Sequence, residues 1–152
     1  MKQTIDLKNW AFKIASLNFE KPVTLPHTWN VDDDKAVQLY RGAAEYSSDV
    51  ELGDMADKLA RLYFGCAYHT CNLYVNGHLA GWHTGSGNTP FEFDVTRFLH
   101  AGTNHLSVEV DNLSKAEMLP HELHYDWADD GGLTRSVILT IGAHDDIFGV
   151  NI

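Results

Sequence analysis

Eleven residues, Tyr125-Asp126-Trp127-Ala128-Asp129-Asp130-Gly131-Gly132-Leu133-Thr134-Arg135, hold three carboxylates, an indole, two glycines and a guanidinium just ahead of a hydrophobic run. Ionised carboxylates accept charge-assisted hydrogen bonds. An exposed indole offers a flat apolar face, suited to the C–H face of a sugar ring, and loops on rigid scaffolds are where such groups tend to act. The same composition also makes an ordinary polar turn, so the residues alone leave both readings open. Trp127 and Trp29 lie in loops beside polar residues and are candidates for ligand contact, whereas Trp10 sits on an alternating apolar face and is expected in the core.

Other clusters fit known chemistries less well. His121-Glu122-Leu123-His124 sets its imidazoles three apart, not four apart on a helix as a zinc protease requires, and it reads as loop polarity. Asp32-Asp33-Asp34 lacks the alternating oxygen ligands and glycine of a calcium loop and reads as a solvated acidic turn. Gly85-Ser86-Gly87 matches neither a nucleophile elbow nor a phosphate loop, since Pro90 takes the last glycine position; it reads as a flexible loop in which Asn88 could touch a ligand. Nine histidines supply candidate bases, yet no Ser, His and Asp set has triad spacing. No metal site and no cofactor is expected.

The chain has 152 residues, 11 basic and 21 acidic, for a net charge of −10. Such a surface repels a phosphate backbone, so nucleic acid is not an expected partner. No run approaches the roughly 18 apolar residues of a membrane-spanning helix, and the start Met1-Lys2-Gln3-Thr4-Ile5-Asp6 lacks the apolar core of a signal peptide. No membrane association is therefore expected, and the compartment is left open. Cys66 and Cys71 have neither redox nor zinc spacing and read as small buried thiols.

The elements that must position these residues are strands. Period-two alternation runs from end to end, and helical periodicity never persists. Trp10, Phe12 and Ile14 share one face, as do Tyr46, Ser48, Val50 and Leu52; Leu62 and Phe64 continue a strand from Lys58; Cys71, Leu73 and Val75 alternate next. Asn76-Gly77 tolerates the two positive φ angles of a type I′ turn, which predicts a β-hairpin. Phe91, Phe93 and Val95 alternate, Thr96 is a candidate cap for a single helical turn closed by Gly102, and two further strands carry Leu106, Val108, Val110 and Val137, Leu139, Ile141. Short strands joined by Gly, Pro and Asn turns, without crossover helices, predict one all-β domain, an antiparallel β-sandwich.

The ordered segments VTLPHTWN (23–30), YRGAAEY (40–46), the stretch from LYVNGHLAGW through SVEVDN (73–112) and DWADDGGLTRSVILTI (126–141) resemble the N-terminal sugar-binding domain of glycoside hydrolase family 2. That family includes β-galactosidases, β-glucuronidases and β-mannosidases. The resemblance implies a jelly roll of the galactose-binding type over residues 1–145, with 146–152 starting a connection to an immunoglobulin-like domain and a catalytic barrel. It implies that Asp126, which opens the D-x-x-x-x-x-G-[IL]-x-R segment, projects toward a shared pocket and holds the terminal sugar of a β-linked saccharide. Trp127 is its neighbour in that expected substrate site, and Arg135 pairs more naturally with a carboxylate than with sugar. Some members carry a sugar-contacting Asn just after the equivalent of Tyr40; Arg41 stands there, so that contact does not carry over. Retaining hydrolysis needs two Glu roughly 5 Å apart on a barrel of about 250 residues, so this chain is expected to hold no catalytic residue and to be inactive alone. A free-standing carbohydrate-binding module is the alternative. Sugar preference and homo-oligomer formation are left open.

Overall fold

A computed structural model describes residues 2–113 and 130–144. Ten strands dominate: β1 (Gln3–Asp6), β2 (Asn9–Ile14), β3 (Phe19–Thr24), β4 (Ala43–Leu52), β5 (Lys58–Phe64), β6 (Thr70–Val75), β7 (His78–His83), β8 (Phe91–Asp94), β9 (Gly102–Asp111) and β10 (Val137–Ala143). They form two antiparallel sheets, one ordered β1-β10-β5-β8 and the other β3-β2-β4-β9-β6-β7. This is the expected sandwich.

The alternating apolar residues face one another between the sheets. Phe12, Ile14, Tyr46, Leu73, Val75, Leu106, Val108 and Val110 from the six-stranded sheet meet Ala60, Leu62, Phe64, Val137, Leu139 and Ile141 from the other, all at 3% exposure or less. Both cysteines are buried and free. Phe64 lies at the aromatic centre of its sheet, stacked on Phe91 at 5.1 Å and edge-on to Phe93 at 5.9 Å.

The hairpin forms as its turn residues require. Asn76 and Gly77 take φ of 50° and 81°, and β6 pairs with β7 on either side. The Asn76 side chain also reaches the neighbouring loop, where its Nδ2 donates to the carbonyl of Phe98 and to Oδ1 of Asn104. Asn104 is fully buried; its amide nitrogen donates to the carbonyls of His100 and Gly102, and its oxygen also accepts from the N–H of His100. A buried amide is tolerated because its hydrogen-bonding groups are satisfied.

Two local expectations change. Thr96 begins a 3-10 turn (Thr96–Phe98) instead of capping it: its hydroxyl accepts the N–H of Ala60 on β5, and Asp94 accepts the N–H of Thr96. The turn ends at Leu99, and Gly102 opens β9 at φ +95°. The acidic run is not wholly solvated either. Asp34 caps a short helix α1 (Lys35–Gln38) through the N–H groups of Ala36 and Val37, and the Asp32 side chain, only 4% exposed, pairs with Lys21. Burial alone would raise the Asp32 carboxyl, but the Lys21 ammonium and the N–H of Asp34 outweigh it and hold it below the usual carboxylate range.

Phe64→Ala removes a fully buried ring that two other rings pack against. It is expected to cost about 3–5 kcal/mol, read as a lowered urea midpoint at unchanged slope.

Candidate functional site

Antiparallel pairing gathers the ends of β5, β7 and β9 and the starts of β4, β6, β8 and β10 at one rim of the sandwich. The two sides of the 114–129 excursion are anchored there. Asp126 and Trp127, with His121, Glu122 and His124, lie outside the described residues; what holds the segment at either side is described.

On the leading side, Asn112 is 1% exposed and accepts the N–H of Gly42 at 2.9 Å, while its Nδ2 donates to the carbonyl of Tyr40 at 3.3 Å. Leu113 N–H donates to Asp111 Oδ1 at 2.8 Å, which turns the chain away from β9. On the returning side, residues 131–133 lie beside 27–29 as a short ribbon. His27 N–H donates to the carbonyl of Leu133 at 2.9 Å, Trp29 N–H to that of Gly131 at 3.0 Å, and Gly131 N–H to Thr28 Oγ1 at 3.3 Å. Tyr68 N–H donates to the carbonyl of Gly132 at 3.0 Å from the other flank.

One backbone atom joins the two sides. The carbonyl of Tyr40 accepts from Asn112 Nδ2 and also from the indole Nε1 of Trp29 at 3.0 Å. Trp29, placed in a loop by the sequence and offered there as a ligand contact, is 0% exposed. It stacks on Phe12 at 5.8 Å, and its ring occupies the space that a side chain on Gly131 would need. Gly132 has φ of +134° and lies against the Tyr46 hydroxyl and the carbonyl of His27, so both glycines are required by close approach and the second also by backbone conformation.

Beneath this ribbon, His27 Nδ1 meets the Tyr46 hydroxyl at 2.7 Å. Burial pushes the Tyr46 phenol well above its ordinary range, so it stays protonated, and its oxygen is shared between the Leu133 backbone and the His27 ring. Burial, then the Lys21 ammonium, lowers the His27 pKa to about 4, with Asp32 partly opposing. His27 is therefore a half-buried, neutral partner of the Tyr46 hydroxyl at pH 7.

The 84–90 loop packs into the same rim. Gly87 lies under the Tyr68 ring, Cys66 Sγ donates to its carbonyl, and His83 Nε2 lies 3.0 Å from the carbonyl of Ser86. Burial pushes the Cys71 thiol up to about 12, which disfavours its thiolate. Among the described residues no group of three metal-ligating side chains converges, and Arg135 is exposed without a salt bridge. The rim thus ties down the residues that flank 114–129.

The family model for the sugar binding domain of glycosyl hydrolases family 2 matches residues 7–142. The chain belongs to this family. Its sequence is 33% identical over 137 residues to a protein of Formosa agariphila provisionally named a β-glucuronidase, and 30% identical over 133 residues to a β-galactosidase of Thermoanaerobacter pseudethanolicus. These alignments take in 88% and 86% of the family 2 chain but only 16% and 17% of the relatives. A solved β-glucuronidase from an uncultured Clostridium species superposes with a TM-score of 0.84 at 24% identity, over 94% of this chain and 29% of the other, and shares the fold. The sugar-binding domain thus spans less than a third of each of these relatives.

The His27 pair gives the sugar-binding domain a pH signature. The folded state binds fewer protons than the unfolded chain between about pH 6.5 and about pH 4, so its contribution is complete above 6.5 and lost as pH falls through 4. Asp32 and Asp94, both held below the usual carboxylate range, lose their contributions only at lower pH. The melting temperature should fall from pH 6.5 to 4 in the wild type, and His27→Asn, which has no proton to gain, should flatten that part of the profile.

Proposed function

We propose that the chain is the accessory sugar-binding domain of a retaining exo-β-glycosidase, acting on a β-galactoside or β-glucuronide, in which it shapes the substrate pocket while a barrel in the same protein performs the hydrolysis. In this reading Asp126 accepts hydrogen bonds from hydroxyls of the terminal sugar, with Trp127 beside it, and residues 146–152 lead from the sandwich of residues 1–145 toward an immunoglobulin-like domain.

The observation that carries the reading is the double anchoring through the Tyr40 carbonyl. Tying down the residues on both flanks of a segment that carries a carboxylate lowers the entropy lost when that carboxylate meets a substrate. The relatives' lengths support a larger parent, since the chain accounts for 16–17% of them. The described rim offers no nucleophile and base pair, which supports assigning the chemistry elsewhere.

In the complete enzyme, Asp126→Asn should lower kcat/KM roughly tenfold to hundredfold, the loss expected for one charge-assisted contact of about 1.5–3 kcal/mol. An unchanged value retires the assignment. The 152-residue chain by itself should release no nitrophenol from nitrophenyl β-galactoside or β-glucuronide; turnover by the purified chain would overturn the division of labour.

The second reading, a free-standing carbohydrate-binding module, is favoured by the exposed tryptophan on β7, because such a module needs an aromatic platform of its own. A reading frame that encodes no hydrolase barrel beside this domain, together with sugar affinity of the domain alone, would support it.

A further inference from the structure

Trp10 and Trp29 are buried, but Trp82 on β7 is 67% exposed. Register places it opposite Asn72 on β6, which faces Glu109 on β9, which faces Glu45 on β4, and the row continues to Lys13 and Glu20. All project from the outer face of the six-stranded sheet, because the intervening residues Cys71, Leu73, Val108 and Val110 fill the core. The adjacent row adds Leu79, 49% exposed, and Tyr74.

Directly opposed residues bring their Cβ atoms to about 5 Å, so Asn72 lies beside the indole and Glu109 one strand further. Asn72 Nδ2 donates to Glu109 Oε1 at 3.1 Å. That bond orients both side chains and leaves the Asn72 carbonyl oxygen and the second Glu109 oxygen as acceptors. A flat apolar face beside two oriented acceptors matches a pyranose ring, which has a C–H face and a rim of hydroxyl donors.

Charge narrows the ligand. Glu109 and Glu45 are cross-strand neighbours in a chain of net charge −10, so a uronate or phosphate would be repelled. Docking of a second copy would bring the same carboxylates together across the interface, and the register shift at Leu73/Tyr74 interrupts the ladder that β7 would extend. We propose that Trp82, Asn72 and Glu109 form a saccharide-binding surface on the outer face of the six-stranded sheet that takes an uncharged polysaccharide chain with its ring face on the indole.

The test is native-gel affinity electrophoresis of the full chain in gels containing β-1,4-galactan, mixed-linkage β-glucan or polygalacturonate, with sedimentation velocity alongside. The chain should be retarded in at least one neutral polymer and not in polygalacturonate. Trp82→Ala should weaken retardation about tenfold or more, and Trp82→Phe, which keeps an aromatic face, by less. Because the residue is exposed, both variants should melt like the wild type. Equal retardation of Trp82→Ala, retardation in neither neutral polymer or equally in polygalacturonate, or a dimer that Trp82→Ala dissolves would each overturn the proposal.

Discussion

A buried indole N–H must find an acceptor, and in this domain the acceptor is the carbonyl of Tyr40. Because Asn112 uses the same oxygen, satisfying Trp29 also fixes where β9 ends. Gly131 has to be a glycine for the indole to lie where it does, and Gly132 has to be one for the chain to turn between Tyr46 and His27. The arrangement of the rim follows from burying one large side chain that carries one polar atom.

That dependence explains what the sequence conveyed and what it did not. Strand faces such as Phe12 with Ile14, or Leu106 with Val108 and Val110, are legible because alternation is local. The Asn76-Gly77 turn is legible for the same reason, since its positive φ angles are a property of two adjacent residues. Trp29 looked like a loop aromatic because its cover comes from Gly131, more than a hundred residues away. Thr96 has the composition of a cap, but Ala60 on another strand claims its hydroxyl. The four-residue β1 and the one-turn α1 are too short for any periodicity to announce them.

The candidate site divides in the same way. The paired glycines stood out in the sequence, and the structure packs Gly131 against the Trp29 ring and Gly132 against Tyr46 and His27; Asp126 and Trp127 lie outside the described residues. Asn112 and the Tyr40 carbonyl were not: an Asn after a strand is ordinary turn chemistry, and a backbone oxygen has no sequence signal. Trp82 was equally silent, because the irregular pairing around Ala80 breaks the alternation that would have marked it as outward-facing.

Strand β10 runs from the rim at Val137 to Ala143, which pairs with the first residue of β5. Seven residues at about 3.3 Å each carry the backbone roughly 20 Å away from that rim. This one strand therefore spans the height of the sandwich and leaves Ala143 at the pole opposite the rim that flanks residues 114–129.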